Sequence, residues 1–171
     1  VHSGIVINIE AVWDNIDKQF VINTSSMQSA KNWISQGMVA DKAIIIAYLK
    51  VNNKNYGKQA FLVDIRVNTK LSPGVSVSNM DEKTVGNDLD NALIVFNDFK
   101  VPKSALLNKY INIIDQNNVY VEKGGNESFN LIEQQLYSGR VCVAQAALEF
   151  RKKVFENSKQ YAESKYCWTK D

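Results

Sequence analysis

The segment Lys31-Asn32-Trp33-Ile34-Ser35-Gln36-Gly37 lies between two runs of β-type sequence. Residues two apart in an extended segment share a face, so we expect Trp33 and Ser35 to present an indole and a hydroxyl together. Such a pair suits a flat heteroaromatic ligand, because the indole packs against the ring system while the hydroxyl meets a ring nitrogen. The alternative is that Trp33 belongs to the core, where large aromatic side chains of β-rich domains usually lie.

Strand patterns stand on both sides of this segment. Residues 6–13 alternate between apolar and polar, residues 14–18 have turn chemistry and residues 19–24 form a second strand, which together predict a hairpin. Residues 43–49 are apolar throughout and predict a central strand buried on both faces.

The pattern continues toward the middle of the chain. The sequence predicts, in order, a turn at 52–57, a strand through 61–67, a break at 72–74, a short strand at 75–77 and a last strand at 92–99 ended by Val101-Pro102. Six or so strands with short connections predict an antiparallel β-barrel or sandwich.

The second part of the chain has a different period. Residues 108–127 are rich in Asn and contain Gly124-Gly125, so we predict a linker or long loop there. From about Phe129 to Lys165 apolar residues recur at helical spacing, which predicts one helix roughly 55 Å long. We therefore expect an α+β chain: a β domain over 1–107, a linker over 108–127, and the start of a helical domain over 128–171. Such a helix needs partner helices, so an oligomer or a larger assembly is expected.

Composition excludes several classes of function. The chain has 171 residues, 45% hydrophobic and 22% charged, and its net charge of +2 is too small to indicate nucleic acid or an anionic membrane as a partner. No apolar run approaches the roughly 20 residues of a membrane span, and we expect no targeting segment at the start. The single His2 and the distant pair Cys142 and Cys167 predict no metal site and no disulfide framework, which favours a reduced intracellular setting.

Four segments carry a resemblance to a known family. Residues 31–37 after the run 20–24, residues 89–102 followed by Leu106-Leu107, residues 136–144, and residues 161–168 resemble the acyl-CoA dehydrogenase and acyl-CoA oxidase superfamily. The resemblance implies that residues 1–107 are similar to the family's middle β domain and that the helix is the first of its C-terminal helical domain. The run 20–24 and the pair Asp90-Asn91 favour the oxidase branch.

The resemblance also implies where ligands bind. Trp33, Ile34 and Ser35 would line FAD, with the Ser35 hydroxyl at the flavin N5, where Ser replaces the commoner Thr. Four residues of the helix would contact the acyl-CoA substrate: Tyr137, Ser138, Gly139 and Arg140. The alternative for Arg140 is a solvated helix charge, although a glycine inside a helix costs roughly 1 kcal/mol and favours close approach of another group.

The resemblance also extends to the end of the helix and to the catalytic base. Lys165 stands where the family has an arginine that reaches the FAD of a second subunit, and lysine lacks the bidentate fork of arginine. The alternative is a basic last turn that stabilises the helix dipole. The family's catalytic glutamate lies beyond Asp171 and its Thr-Glu and Gly-Ser segment at or before Val1, so no residue of this chain is assigned as catalytic.

The function implied by the resemblance is that of an acyl-CoA oxidase present as an internal fragment. Such an enzyme uses FAD to oxidise acyl-CoA to trans-2-enoyl-CoA in fatty acid β-oxidation and passes the electrons to O2, which gives H2O2. The alternatives are an acyl-CoA dehydrogenase that uses an electron-transfer flavoprotein, and a non-catalytic structural subunit of the same fold. A homo-oligomer, dimer or higher, is expected, in the peroxisome or alternatively the mitochondrion.

Overall fold

The computed structural model describes residues 7–114, 119–122 and 125–166. The chain divides into two compact units, Val1–Phe129 and Asn130–Asp171. All of the described strands lie in the first unit, and the second contains the described helix residues from Asn130 onward. Within the described ranges, no helix combines the length and the apolar character needed to cross a membrane.

The strands of the first unit are mostly short and are joined by short connections. They are β1 (Ile9–Asp14), β2 (Gln19–Thr24), β3 (Lys31–Ser35), β4 (Lys42–Val51), β5 (Lys54–Asp64), β6 (Arg66–Val67), β7 (Lys70–Leu71), β8 (Val75–Asn79), β9 (Asn91–Phe96), β10 (Phe99–Pro102), β11 (Ile111–Ile113) and β12 (Val119–Val121). Single 3-10 turns occupy Met27–Ser29 and Lys103–Ala105.

Two larger sheets and two strand pairs organise these elements. The five-stranded sheet has the order β10-β2-β1-β4-β5, the three-stranded sheet has the order β3-β9-β8, and β6-β7 and β11-β12 form separate pairs. The pairings are antiparallel except that of β1 with β4, which is parallel. The predicted antiparallel β domain of sandwich or barrel type, followed by a long helix, is confirmed.

One hydrophobic core joins the sheets. Its members come from both the five-stranded and the three-stranded sheet, for example Leu49 and Phe96. At its centre the rings of Trp13 and Phe20 meet edge to face at 4.9 Å, and Phe20 meets Phe61 in the same way at 5.1 Å. Edge-to-face contacts of this kind add stability beyond the apolar area that the rings bury. The core thus spans most of the chain length from β1 to β11.

The predicted first hairpin is confirmed, with the expected inward face on β1. The predicted turn at 52–57 is shorter, because Asn52 and Asn53 alone reverse the chain with φ of 49° and 62°. Two consecutive positive φ values match the twist of a two-residue hairpin, and Asn tolerates this conformation better than most residues. Strand β5 therefore begins at Lys54, well before the predicted strand at 61–67.

Two strand predictions are wrong in detail. Strand β4 is buried on one face only: Ile45, Ala47 and Leu49 lie in the core, whereas Ile44 is 65% exposed. The predicted single strand at 92–99 is two strands, because the chain turns at Asn97-Asp98 and β10 leaves the three-stranded sheet to pair with β2. The Asp98 backbone N–H donates to the Asn23 side chain at 2.7 Å, which ties this turn to β2.

The segment 108–127, predicted as a linker or long loop, contains structure where it is described. Strands β11 and β12 pair in an antiparallel ladder, and Ile111 and Ile113 are fully buried in the core. Their three-residue Ile-Asn-Ile alternation is too short to stand out among the Asn-rich residues around it. Residues 115–118 and 123–124 lie outside the described residues.

The predicted long helix is confirmed as α1 (Gly125–Ser164), which starts four residues before the predicted Phe129. At 3.6 residues per turn its exposed apolar residues form two stripes roughly 125° apart around the axis. One stripe contains Tyr137, Val141, Leu148 and Phe155; the other contains Val143, Ala147, Phe150, Val154 and Tyr161. Apolar residues on two sides are typical of a helix that packs against more than one neighbour.

Replacement of Ile111 by Ala tests whether residues 108–127 belong to the core. Because the Ile111 side chain is fully buried, we expect Ile111→Ala to lower the free energy of unfolding by about 2–5 kcal/mol, measured by urea denaturation. Ile114, which is 62% exposed, supplies the matched control, and Ile114→Ala should change stability by less than about 0.5 kcal/mol. If both substitutions lowered the free energy of unfolding by the same small amount, residues 108–127 would be a linker and not part of the core.

Candidate functional site

Strand β3 contains an irregularity at its centre. In its antiparallel pairing with β9, Lys31 faces Ile94 but Ile34 faces Ala92, so three steps along β3 match two steps along β9. This one-residue excess is a β-bulge, which bends the strand and re-aims side chains. Trp33 lies inside the bulge with φ of 59°, the left-handed region that bulky residues rarely adopt.

The bulge sets which side chains leave the core. Trp33 is 52% exposed and Ser35 is exposed, whereas Ile34 between them packs against the core. The alternative that Trp33 is a core residue is therefore wrong. The bulge interrupts the regular extended backbone that was expected here, and Trp33 and Ser35 are nevertheless both exposed, with Ile34 between them. The Ser35 hydroxyl has no hydrogen-bond partner among residues 7–114, 119–122 and 125–166.

The strained backbone at Trp33 is compensated locally. A left-handed conformation at a non-glycine residue costs of the order of 1–3 kcal/mol and persists only where surrounding contacts hold it. Here the Trp33 backbone N–H donates to the Met80 sulfur at 3.1 Å. Met80 directly follows β8, the other outer strand of the same sheet. This contact therefore connects the ends of the two outer strands, β3 and β8.

The turn after β3 is held by two charged side chains. The Asp90 carboxylate accepts the backbone N–H of Gln36 at 3.0 Å and of Met38 at 3.2 Å. The Arg66 guanidinium donates through Nη1 to the carbonyls of Gly37 at 3.0 Å and Ala40 at 2.6 Å. Hydrogen bonds to charged groups are stronger than neutral ones, so these two N–H groups and two carbonyls of the turn are firmly held.

Close packing explains the glycine in the motif. A Cβ on Gly37 would lie 2.5 Å from the Cβ of Ala92 and 3.3 Å from the Ile34 carbonyl oxygen. Ala92 is itself fully buried on β9 and faces Ile34 across the ladder. The turn therefore lies directly against β9, and only glycine leaves room for this approach.

Lys31, the first residue of the motif, is half-buried at the start of β3. Its ammonium Nζ donates to the Ile46 carbonyl of β4 at 3.2 Å, which links the three-stranded to the five-stranded sheet. Burial lowers the pKa of the Lys31 amine below its ordinary value, because desolvation disfavours the charged form.

The residues predicted to contact acyl-CoA lie on α1 within the second unit. Tyr137, Ser138, Gly139 and Arg140 are all exposed, and the Arg140 guanidinium lies 5.7 Å from the centre of the Tyr137 ring. The Ser138 hydroxyl donates to the Gln134 carbonyl at 3.3 Å. A Cβ on Gly139 would meet nothing within 4 Å among the described residues, so the space that this glycine leaves is open.

Lys165, the fourth predicted flavin contact, follows the last residue of α1. Its ammonium lies 4.9 Å from the centre of the Tyr161 ring, and its backbone N–H donates to the Ala162 carbonyl at 3.3 Å. At 1.5 Å per residue it lies roughly 37 Å along the helix from Arg140. Cys167 and Trp168 lie outside the described residues. The structure thus groups residues 33–35 in one segment and residues 137–140 in one turn, with Lys165 separate from the latter.

Three residues that support the site were missed in the sequence: Met80, Asp90 and Arg66. In the sequence Asp90 only favours the oxidase branch, and Arg66 lies within the predicted strand at 61–67. Each contacts the motif across at least 29 residues of sequence, a relation that local patterns do not encode. No cluster of three or more His, Cys, Asp or Glu side chains that could hold a metal ion occurs in the described part of the chain.

Comparison with known proteins supports the predicted resemblance. Acyl-coenzyme A oxidase 3, peroxisomal, of Arabidopsis thaliana is 31% identical over 155 residues, which cover 86% of this chain and 22% of that protein. The crystal structure of acyl-CoA oxidase 1 from Yarrowia lipolytica matches with a TM-score of 0.65 and 28% identity over 69% of this chain and 18% of that one. The chain is a relative of the acyl-CoA oxidases. The predicted superfamily, with the oxidase branch favoured, is confirmed.

A further solved relative was crystallised with ligands. Acyl-CoA oxidase 2 of Caenorhabditis elegans, bound with FAD, ascaroside-CoA and ATP, matches with a TM-score of 0.65 and 26% identity, over 70% of this chain and 19% of that one. No protein-family model matches the chain. The chain spans about a fifth of the length of the acyl-CoA oxidases that it matches.

Substitution of Gly37 tests the close approach of the turn to β9. We expect Gly37→Ala to lower the free energy of unfolding by about 1–3 kcal/mol, because the new methyl group overlaps Ala92. The matched control is Gly139→Ala, where a Cβ meets open space and the better helix propensity of alanine should leave stability unchanged or raised by up to about 1 kcal/mol. Thermal unfolding measures the stability of both variants. A smaller loss of stability in Gly37→Ala than in Gly139→Ala would contradict the packing argument.

The buried Lys31 amine predicts a pH dependence of stability. Since its folded pKa lies below the ordinary 10.5, the unfolded chain binds more protons in the window between the two values, and the free energy of unfolding from this group rises with pH there. Lys31→Met removes this contribution. The stability of Lys31→Met relative to wild type should therefore be most favourable near neutral pH and decline as pH approaches 10.5. Parallel pH profiles of the two proteins in urea denaturation would contradict this.

Proposed function

We propose that this chain is part of an FAD-dependent acyl-CoA oxidase that converts acyl-CoA to trans-2-enoyl-CoA in fatty acid β-oxidation and passes the electrons to O2, which gives H2O2. The observation that carries the proposal is the bulge of β3, which exposes Trp33 and Ser35 in a chain related to acyl-CoA oxidases. As peroxisomal stands in the name of the Arabidopsis relative, we place the protein in the peroxisome.

The exposed face of β3 fits a flat, partly polar cofactor. The Trp33 indole offers an apolar surface for an isoalloxazine ring, and the Ser35 hydroxyl is open to pair with a ring nitrogen. FAD, when bound, supplies the hydride acceptor of the reaction. In this arrangement Trp33 would hold the ring and Ser35 would donate a hydrogen bond to the flavin N5, while Ile34 packs against the core.

The substrate side of the proposal rests on one turn of α1. Arg140 presents a guanidinium, which suits the phosphates of CoA, and the neighbouring Gly139 leaves open space beside it. The Tyr137 ring lies against the guanidinium, and this contact limits its orientations. Lys165 would supply a positive charge to FAD without the two-pronged geometry of arginine. We assign no residue of this chain as the catalytic base, and we propose that another part of the protein supplies the glutamate of the family.

The two apolar stripes of α1 support an assembly with further helices. A helix that presents apolar residues on two sides gains its stability from neighbours on both. An exposed apolar surface of this extent normally marks an interface. We therefore propose a homo-oligomer, dimer or higher, in which the chain is joined by the segments that complete a helical domain.

Two substitutions in the full-length protein test the flavin site. Trp33→Ala should weaken FAD binding roughly tenfold to a hundredfold, since aromatic stacking on a heterocycle contributes about 1–3 kcal/mol. Ser35→Ala should keep FAD but slow its reduction by acyl-CoA by about a hundredfold, because one fixed donor at the reacting atom is lost. Flavin absorbance gives the occupancy, and stopped-flow spectroscopy gives the reduction rate.

The control for both is Ile16→Ala, which removes an exposed apolar side chain from the β1–β2 turn and should change neither quantity. Full occupancy and normal reduction in both test variants would refute the flavin assignment of this segment. A full-length protein that contains no flavin would favour the non-catalytic subunit. Reduction by acyl-CoA without peroxide formation in air would favour a dehydrogenase.

A further inference from the structure

The Ser35 hydroxyl has no contact of its own that fixes its position. It is exposed and unpaired among the described residues, so its location depends on the backbone on either side. On one side lies the bulge at Trp33, and on the other lies Gln36, which also has a left-handed φ, of 60°. Residues with a strained backbone therefore lie on both sides of Ser35, and a small change in the φ of either one would move the Ser35 hydroxyl.

The turn that follows Ser35 is held through four of its main-chain polar groups. Asp90 accepts two N–H groups, from Gln36 and Met38. Arg66 donates to two carbonyls, of Gly37 and Ala40. Asp90 therefore holds two of the donors of the turn, and Arg66 holds two of its acceptors.

Asp90 also connects this turn to the strand that pairs with Ser35. The residue after Asp90 is Asn91, the first residue of β9, and Asn91 is the cross-strand partner of Ser35. Asp90 thus holds Gln36, the residue after Ser35. It also directly precedes Asn91, the cross-strand partner of Ser35. Any shift of β3 along β9 at this end would break both hydrogen bonds of Asp90.

We propose that Asp90 and Arg66 are positioning residues that hold the Ser35 hydroxyl in place for hydrogen bonding to the flavin. This inference rests on the proposed function and extends it to two side chains that act through the backbone. Misplacement of a reacting group by about 1 Å can reduce a rate by up to a hundredfold. Loss of the Asp90 carboxylate or of the Arg66 guanidinium should therefore slow flavin reduction, although we place neither side chain in contact with the flavin.

A double-mutant cycle on the full-length, FAD-loaded protein separates positioning from general stabilisation. The variants are Asp90→Ala, Ser35→Ala and the double substitution, with the rate of flavin reduction at saturating acyl-CoA as the readout. We expect Asp90→Ala alone to slow reduction about tenfold at full flavin occupancy. In the Ser35→Ala background the same change should slow it less than twofold, because the hydroxyl that it positions is already absent.

Conservative variants keep the test usable where alanine disturbs folding or FAD binding. Asp90→Asn retains one acceptor oxygen, and Arg66→Lys retains a cationic donor on a side chain without the planar guanidinium. Both should therefore give intermediate losses that are again smaller in the Ser35→Ala background. The matched control is Asp88→Ala, two residues from Asp90 and exposed, which should leave the reduction rate unchanged.

The outcomes distinguish this inference from the function on which it rests. Losses from Asp90→Ala and Ser35→Ala that multiply in the double variant would overturn the positioning role and leave the oxidase assignment intact. An Asp90→Ala rate equal to that of Asp88→Ala would do the same. A wild-type protein that holds no flavin, or whose flavin is not reduced by acyl-CoA, would overturn the proposed function and this inference with it.

Discussion

Strand β3 carries one more residue than the stretch of β9 that it faces, and the arrangement of the site depends on this excess. The extra residue forces Trp33 into a left-handed conformation, turns Ile34 toward the core and leaves the residues on either side of it exposed. A bulge is costly unless neighbouring groups satisfy its backbone. Here the Met80 sulfur accepts the Trp33 N–H within the bulge, and Asp90 and Arg66 hold the backbone of the turn that follows it.

Local sequence patterns identified the strands whose two faces differ in polarity. The alternation in β1 and β2 gave both the hairpin and its inward face, because a polar residue at every second position reveals the period. Strand β4 gave no such contrast: Ile44 is exposed and Ile45 is buried, yet both are isoleucine. The turn at Asn97-Asp98 was missed for a related reason, since it lies between apolar residues that read as one strand.

The candidate site was predicted in part. The resemblance of residues 31–37 to a known motif predicts Trp33 and Ser35 as ligand contacts, and the exposure of both side chains agrees with a binding surface. The bulge could not be predicted, because it depends on the register of β3 against β9, some 60 residues away in sequence. For the same reason the contacts of Asp90 and Arg66 were invisible to methods that read neighbouring residues.

The β unit and the helix differ in how much of their own stability the chain provides. The core residues all lie between Ile9 and Ile113, so the β unit buries its apolar face against itself. From Tyr137 onward the described large apolar side chains of α1 are exposed on two stripes instead. The contacts that shape the β3 segment come from within the β unit, from Ile46, Arg66, Met80 and Asp90. It follows that the contacts which shape the backbone around Ser35 lie within the β unit, whereas Arg140 lies on a helix whose described side chains around it are exposed.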